Sequence, residues 1–151
     1  MIGEPLVILL VEDNEDHAEL VKRKFESQRI ANRIIHVGDG EEALDYLFQK
    51  GKFTDTDANP LPNLILLDLR LPKLDGLSVL SEIKKAEHLR IIPTVVLTSS
   101  ESEKDVNSAY RNHVNSFLVK PIDFNKFAAL MDELGMYWLG WNTNPYYEAK
   151  R

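Results

Sequence analysis

Residues 63–72 read NLILLDLRLP. The four apolar residues Leu64 to Leu67 run straight into Asp68, and Leu69 and Leu71 follow it. A short, unbroken apolar run bounded by Asn and Pro suits a strand of a parallel sheet that is covered on both faces. A carboxylate taken out of water without a partner is costly, so an acid at the end of such a strand implies a partner or a task.

The pattern recurs along the chain. LVILLV (6–11) runs into Glu12 and Asp13, RIIHV (33–37) ends before a Gly38–Gly40 turn, TVVLT (94–98) ends in Thr98 and Ser99, and SFLVK (116–120) ends in Lys120. Between these runs lie amphipathic segments. Asn14 can cap a helix carrying Ala18, Leu20, Val21 and Phe25. EEALDYLFQ (41–49) forms a second helix, and Leu77, Leu80 and Ile83 mark a third after Gly76. Ser100 can cap a fourth, with Glu103 completing a capping box. Asp123 can cap a last helix with Phe124, Phe127, Ala128, Met131, Leu134 and Trp138 on one face, and Gly140 is placed to end it. KGKFTDTDANPLP (50–62) reads as a long loop. Five βα units imply an α/β fold: a doubly wound, five-stranded parallel sheet of flavodoxin-like order 2-1-3-4-5, with helices on both faces. The expected organisation is a domain over 1–140 and a tail over 141–151.

Composition narrows the function. The chain has 151 residues, 44% of them hydrophobic, enough for one domain with a real core. Eighteen Lys and Arg against 24 Asp and Glu give a formal charge of −6, which argues against non-specific nucleic-acid binding. There is no cysteine, so disulfides, thiolate metal sites and thiol nucleophiles are excluded, and a reducing cytoplasm is the expected location. MIGEPLVILLVEDNED lacks a basic leader region, and no apolar stretch is long enough to span a bilayer, so no membrane association is expected.

In a doubly wound sheet the functional site lies beyond the carboxyl ends of the strands, where strand order reverses. There the sequence places Glu12, Asp13, Asp68, Thr98 and Lys120, from four different strand ends. Two like charges about 4 Å apart repel by about 4 kcal/mol at an effective dielectric of about 20. Three acids thus call for protonation or a cation, of which Lys120 supplies one. The remainder invites a hard divalent ion such as Mg²⁺, which takes oxygen ligands and keeps several waters. A carboxylate nucleophile, a metal, a hydroxyl and an ammonium suit phosphoryl transfer onto an aspartate.

The stretches LLVEDNEDH, LILLDLRLPKLDG, VVLTSS and FLVKP, in this order and spacing, resemble the response-regulator receiver domains of two-component signalling over about residues 4–138. That resemblance implies that Asp68 is the phosphoacceptor. It implies that Asp13, Asp68 and the backbone carbonyl of Arg70 hold Mg²⁺, with Glu12 acting mostly through water, and that Thr98 is the switch hydroxyl and Lys120 the phosphate partner. It further implies a cis Lys120–Pro121 bond and an aromatic switch at Phe117, a residue equally readable as a core aromatic. The long loop before the third strand, VVLTSSE and YWL resemble the small single-domain regulators paired with cyanobacterial phytochromes. The implied partners are a sensor histidine kinase of phytochrome type and a second copy of the chain, through helix 4, strand 5 and helix 5. Tyr110, Val114, Trp138 and Trp141 are the candidate interface, and they, with Tyr146 and Tyr147, equally read as cover for the core edge. His17, His36, His88 and His113 have no metal-ligand spacing and read as surface residues.

Other functions fit less well. A haloacid-dehalogenase-type phosphatase wants a second acid two residues after its nucleophile, where this chain has Arg70. A nucleotide or flavin module wants a Gly-rich phosphate loop, and neither G-x-x-x-x-G-K nor G-x-G-x-x-G occurs. A DNA-binding regulator needs an output unit, and about a dozen residues after the last helix are too few, so output by protein contact is expected.

Overall fold

A computed structural model describes residues 5–145, so Tyr146 and Tyr147 lie outside the described residues. The chain runs β1 (Leu6–Val11), α1 (Glu15–Glu26), β2 (Asn32–Val37), α2 (Gly40–Leu47), β3 (Leu64–Leu67), α3 (Gly76–Lys85), β4 (Thr94–Thr98), α4 (Glu103–Arg111), β5 (Ser116–Val119) and α5 (Phe124–Gly135). All neighbouring strands are parallel, and their order is β2-β1-β3-β4-β5. The expected fold class is borne out.

The apolar strand runs are explained by two cores, one on each face. Ile8 and Leu10 of β1 point to a core shared with α1 and α5, built around Phe25, Phe127 and Met131. Leu9 and Val11 point the other way, to a core shared with α2, α3 and α4 through Tyr46, Leu80 and Ala109. Each such side chain, once fully buried, stabilises the fold by about 1.5–3 kcal/mol. Because both faces are covered, every position of β3 is buried.

Polar side chains close the helix starts. Asn14, Asp39, Asp75 and Asp123 accept backbone N–H groups in the first turns of α1, α2, α3 and α5. The cap of α4 is Ser102, which accepts from Asp105 N, and not Ser100. Ser100 is drawn instead toward the carboxylate of Asp105, with Oγ 2.6 Å from Oδ2. The last helix also differs from expectation. Its α-helical part ends at Gly135, and the chain continues as a π-helical segment, Met136–Trp141, so Gly140 lies inside that segment and does not end it. Asn142 leaves it, its N–H donating to Tyr137 O at 2.6 Å. No peptide bond among the described residues is cis, so Lys120–Pro121 is trans, the isomer that X–Pro bonds favour by about 0.5–1 kcal/mol.

The order of strands reverses between β1 and β3, since β2 lies on one side of β1 and β3 to β5 on the other. The crevice at their carboxyl ends is where the acids collect.

Candidate functional site

The strand register assembles the site. The N–H of Asp68 donates to Val11 O at 3.1 Å, which sets the end of β3 beside the end of β1. The N–H of Lys120 donates to Thr98 O at 2.7 Å and ties the end of β5 to the end of β4. Glu12, Asp68, Thr98 and Lys120 are buried, whereas Asp13 is exposed. Gly76 fixes the turn beneath Asp68. Its N–H donates to Leu69 O at 2.9 Å, and a Cβ at this position would overlap the Asp68 carbonyl.

Lys120 lies at the centre. Its ammonium is 2.6 Å from Glu12 Oε1, 3.1 Å from Asp68 Oδ2 and 3.0 Å from His17 Nδ1. An ammonium has three donors, and each meets an acceptor here. The other oxygen of Asp68 accepts the N–H of Arg70 at 3.2 Å, and the other oxygen of Glu12 accepts the N–H of Asn14 at 3.2 Å. Thr98 Oγ1 accepts the N–H of Ser100 at 3.4 Å. The guanidinium of Arg70 turns across the mouth of the crevice to Asp105 at 2.9 Å and to Ser100 Oγ at 3.4 Å.

The charges do not balance locally. Carboxylate oxygens of Glu12, Asp13 and Asp68 all lie within 4.8 Å of one another, against the single ammonium of Lys120. Burial pushes the Glu12 carboxyl up to about 7, with the Asp68 charge adding to the rise and Lys120 opposing it. Burial, then the neighbouring Lys120 charge, hold the His17 imidazole below its ordinary value. The donor set is all oxygen, carries excess negative charge and is open to solvent at Asp13. It fits a hard divalent cation that keeps part of its hydration.

The five strand-end residues singled out in the sequence therefore converge. Phe117 lies half-buried against the core on the α2–α4 face. The four aromatic and apolar surface candidates separate: Val114 and Trp138 are buried, while Tyr110 and Trp141 are exposed, Trp141 at 77%. Two histidines read as surface residues belong to the site. His17 meets Lys120 and packs edge-on against Phe127 at 5.2 Å. His36 Nε2 lies 2.7 Å from Glu12 O, beside the end of β1. His17 sits in the first turn behind the Asn14 cap, four residues after Asp13, and that position was the available signal. The bridge from Arg70 to Asp105 left no comparable trace, since its partners are 35 residues apart.

Residues 8–132 match the family described as response regulator receiver domain. The chain is 50% identical over 142 residues to the "Probable methanogenesis regulatory protein FilR2" of Methanothrix harundinacea (strain 6Ac), covering 94% of this chain and 89% of that protein. It is 41% identical over 141 residues to the response regulator Rcp1 of Synechocystis sp. (strain ATCC 27184 / PCC 6803 / Kazusa), covering 93% of this chain and 94% of that protein. The crystal structure of the Mn²⁺-bound form of Rcp1 superposes with a TM-score of 0.90 over 94% of this chain and all of the other. The phosphorylated cyanobacterial phytochrome response regulator RcpA, 36% identical, superposes with a TM-score of 0.90 over 95% of this chain and all of its own.

Proposed function

The chain belongs to the response regulator receiver domain family, and from that premise we propose that it accepts a phosphoryl group on Asp68 from a sensor histidine kinase and signals through protein contacts. The observation that carries this reading is the convergence of Lys120, Glu12 and Asp68 within hydrogen-bond reach in a buried crevice with a net negative charge. A carboxylate fixed between a backbone N–H and an ammonium is positioned as a nucleophile. One Asp68 oxygen forms a bond to phosphorus as the donor's P–N bond breaks, and the electron pair departs on the donor nitrogen. Lys120 neutralises charge on the phosphoryl oxygens, and Thr98 supplies a hydroxyl for one of them. Glu12, Asp13, Asp68 and the Arg70 carbonyl would hold Mg²⁺, which when bound supplies further positive charge to those oxygens.

Arg70 stands where an aspartyl phosphatase of the haloacid-dehalogenase type has its general acid, and a guanidinium cannot serve as one. The chain's catalysis is therefore confined to its own phosphorylation and dephosphorylation. The test is to incubate the protein with a small phosphodonor and Mg²⁺ and to follow intact mass. One added phosphoryl group is expected, and none in Asp68→Asn. Uptake by Asp68→Asn at the wild-type rate would overturn the assignment.

Likeness to Rcp1 and RcpA favours a phytochrome-type kinase as donor. The higher identity to FilR2 favours a second reading, a kinase serving a methanogenesis-regulating system. Phosphotransfer rates from purified kinases of the two kinds decide between them. The reading further includes a cytoplasmic protein without direct nucleic-acid contact. No helix among the described residues is long and apolar enough to cross a membrane. We also propose a homodimer through α4, β5 and α5. Tyr110 and Val119 are exposed apolar residues there and Trp141 is exposed just beyond α5, while Val114 and Trp138 are buried. Sedimentation at several concentrations tests it with Tyr110→Glu and Trp141→Glu. A strictly monomeric wild type, with or without phosphorylation, would refute it.

A further inference from the structure

Lys120 is one ammonium with three acceptors, and only two of them belong to the acidic cluster. The third is the imidazole of His17, whose Nδ1 lies 3.0 Å from Lys120 Nζ across 103 residues of sequence. A lysine ammonium has no lone pair, so at this contact the imidazole nitrogen must accept. His17 is therefore neutral and carries its proton on Nε2. One further contact orients the ring, which stands edge-on to Phe127 of α5 at 5.2 Å, while the backbone N–H of His17 donates to the Asn14 cap at 3.0 Å and fixes the residue in the first turn of α1. α1 and α5 thus present one neutral acceptor to a lysine whose other two partners are anions.

We propose that His17 is a positioning residue for phosphoryl transfer: its Nδ1 anchors the Lys120 ammonium beside Asp68 when the carboxylates are drawn to other partners. The proposal rests on the reading of Asp68 as phosphoacceptor. Phosphorylation makes one Asp68 oxygen the bridging oxygen of an acyl phosphate, and a bound cation would compete for Glu12 and Asp68. Both events weaken the two anionic holds on the ammonium. The imidazole is affected by neither, so it remains the fixed point from which Lys120 reaches the phosphoryl oxygens. Without it the four-carbon stem of Lys120 regains rotamer freedom, and its charge is no longer pre-placed.

Two substitutions separate this role from simple packing. H17N keeps an acceptor atom at the same position on the side chain but loses the ring against Phe127. H17F keeps a ring of similar size but has no acceptor. Phosphorylation by a small phosphodonor with Mg²⁺ is followed by intact mass, and the thermal midpoint by circular dichroism. H17F should phosphorylate about tenfold more slowly than the wild type while melting near it. H17N should melt lower yet recover most of the wild-type rate. The reverse order of rates, or H17F at the wild-type rate, overturns the proposal. A wild type that takes up no phosphoryl group overturns the underlying reading, and this proposal with it. A third measurement does not depend on the variants folding. ¹⁵N-edited imidazole spectra of the unphosphorylated protein should show His17 neutral and protonated on Nε2, with the Nδ1 resonance displaced in Lys120→Met. A ring protonated on Nδ1, or a resonance indifferent to Lys120→Met, refutes the anchor.

Discussion

Two lysines, Lys84 and Lys120, lie at opposite ends of the same sheet, and each ammonium has three acceptors. Lys84 meets Arg90 O at 3.0 Å, Ile92 O at 3.2 Å and Asn115 Oδ1 at 3.3 Å, all neutral. Around it the amino ends of the strands are closed by asparagines. Asn63 Oδ1 accepts the N–H of Val7 at 2.8 Å, and Asn115 Oδ1 accepts that of Thr94 at 2.7 Å. Lys120 meets two carboxylates and an imidazole, with a third carboxylate close by. The first end is saturated by dipoles and has nothing left to react. The second satisfies its hydrogen bonds yet retains an excess of negative charge, which a divalent cation can use. Saturation of hydrogen bonds and balance of charge are separate conditions, and the two ends of this sheet differ in the sign of the charge left over: positive at Lys84 among neutral acceptors, negative around Lys120.

Substitutions at the two ends should separate accordingly. The largest contrast is all-or-none. Asp68→Asn should abolish phosphoryl uptake in the mass assay, whereas Asn115→Ala should lower stability by about 1–3 kcal/mol in urea titrations and leave uptake by the folded fraction unchanged. Next, Lys120→Met leaves Glu12 and Asp68 facing each other without a cation. Breaking such a buried pair costs about 3–5 kcal/mol, to be read in the same titrations, and uptake should fall with it. Lys84→Met should cost about 1–3 kcal/mol and leave uptake per folded molecule as in the wild type. Equal loss of uptake from both lysine variants would erase the distinction.

The third contrast is pH. Glu12 has its carboxyl raised from 4.5 to about 7 on folding, so the native state binds this proton more tightly than the unfolded one. Its contribution to stability is fully present below pH 4.5 and is lost as pH rises through about 7. His17, held low, acts in the opposite sense: its contribution is present above its ordinary value of 6.5 and is lost as pH falls through the depressed value. The difference in thermal midpoint between wild type and Glu12→Gln, in the absence of divalent ions, isolates the first effect. It should move against the wild type between pH 5 and pH 7.5, and a pH-independent difference would remove the charge argument for this end of the sheet. Smallest is the exposed bridge from Arg70 to Asp105, worth about 0–1 kcal/mol to stability. Its consequence is kinetic, because the guanidinium screens the mouth of the crevice. Arg70→Asn should speed loss of the phosphoryl group several-fold, and an unchanged half-life would show that the bridge does not gate water.

What was legible in the sequence follows the range of the interactions. The sheet was readable because strand burial leaves an apolar run, as in Leu64–Leu67, and because Asn14 and Asp123 cap helices through groups two or three residues away. Errors arose where two local options were close in sequence and a distant partner chose between them. Ser100 was a sound cap until Asp105 and Arg70 drew its hydroxyl aside. Gly140 was a sound stop until the last turns widened into a π-helical segment that buries Trp138 and Leu139 against the α1–α5 core. Among site residues, the acids and Lys120 were visible as charges at the ends of apolar runs. His17 was not, because its partner stands 103 residues away and a neutral imidazole leaves no charge pattern.

The pairing of Glu12 with Lys120 spans 108 residues and closes the site with the last strand of the sheet. During synthesis the chain makes Glu12, Asp13 and Asp68 well before the residue that neutralises them. An emerging chain that lacks β5 holds acids without their ammonium, and Thr98 without the backbone N–H that anchors it to Lys120. Chains lengthen at about 5–20 residues per second, so this incomplete state lasts for seconds on every ribosome. On the proposed function, a phosphodonor would meet a complete acceptor site only in a chain whose fifth strand has docked. Phosphoryl uptake would then be confined to chains in which β5 has been made, by the order of the strands alone.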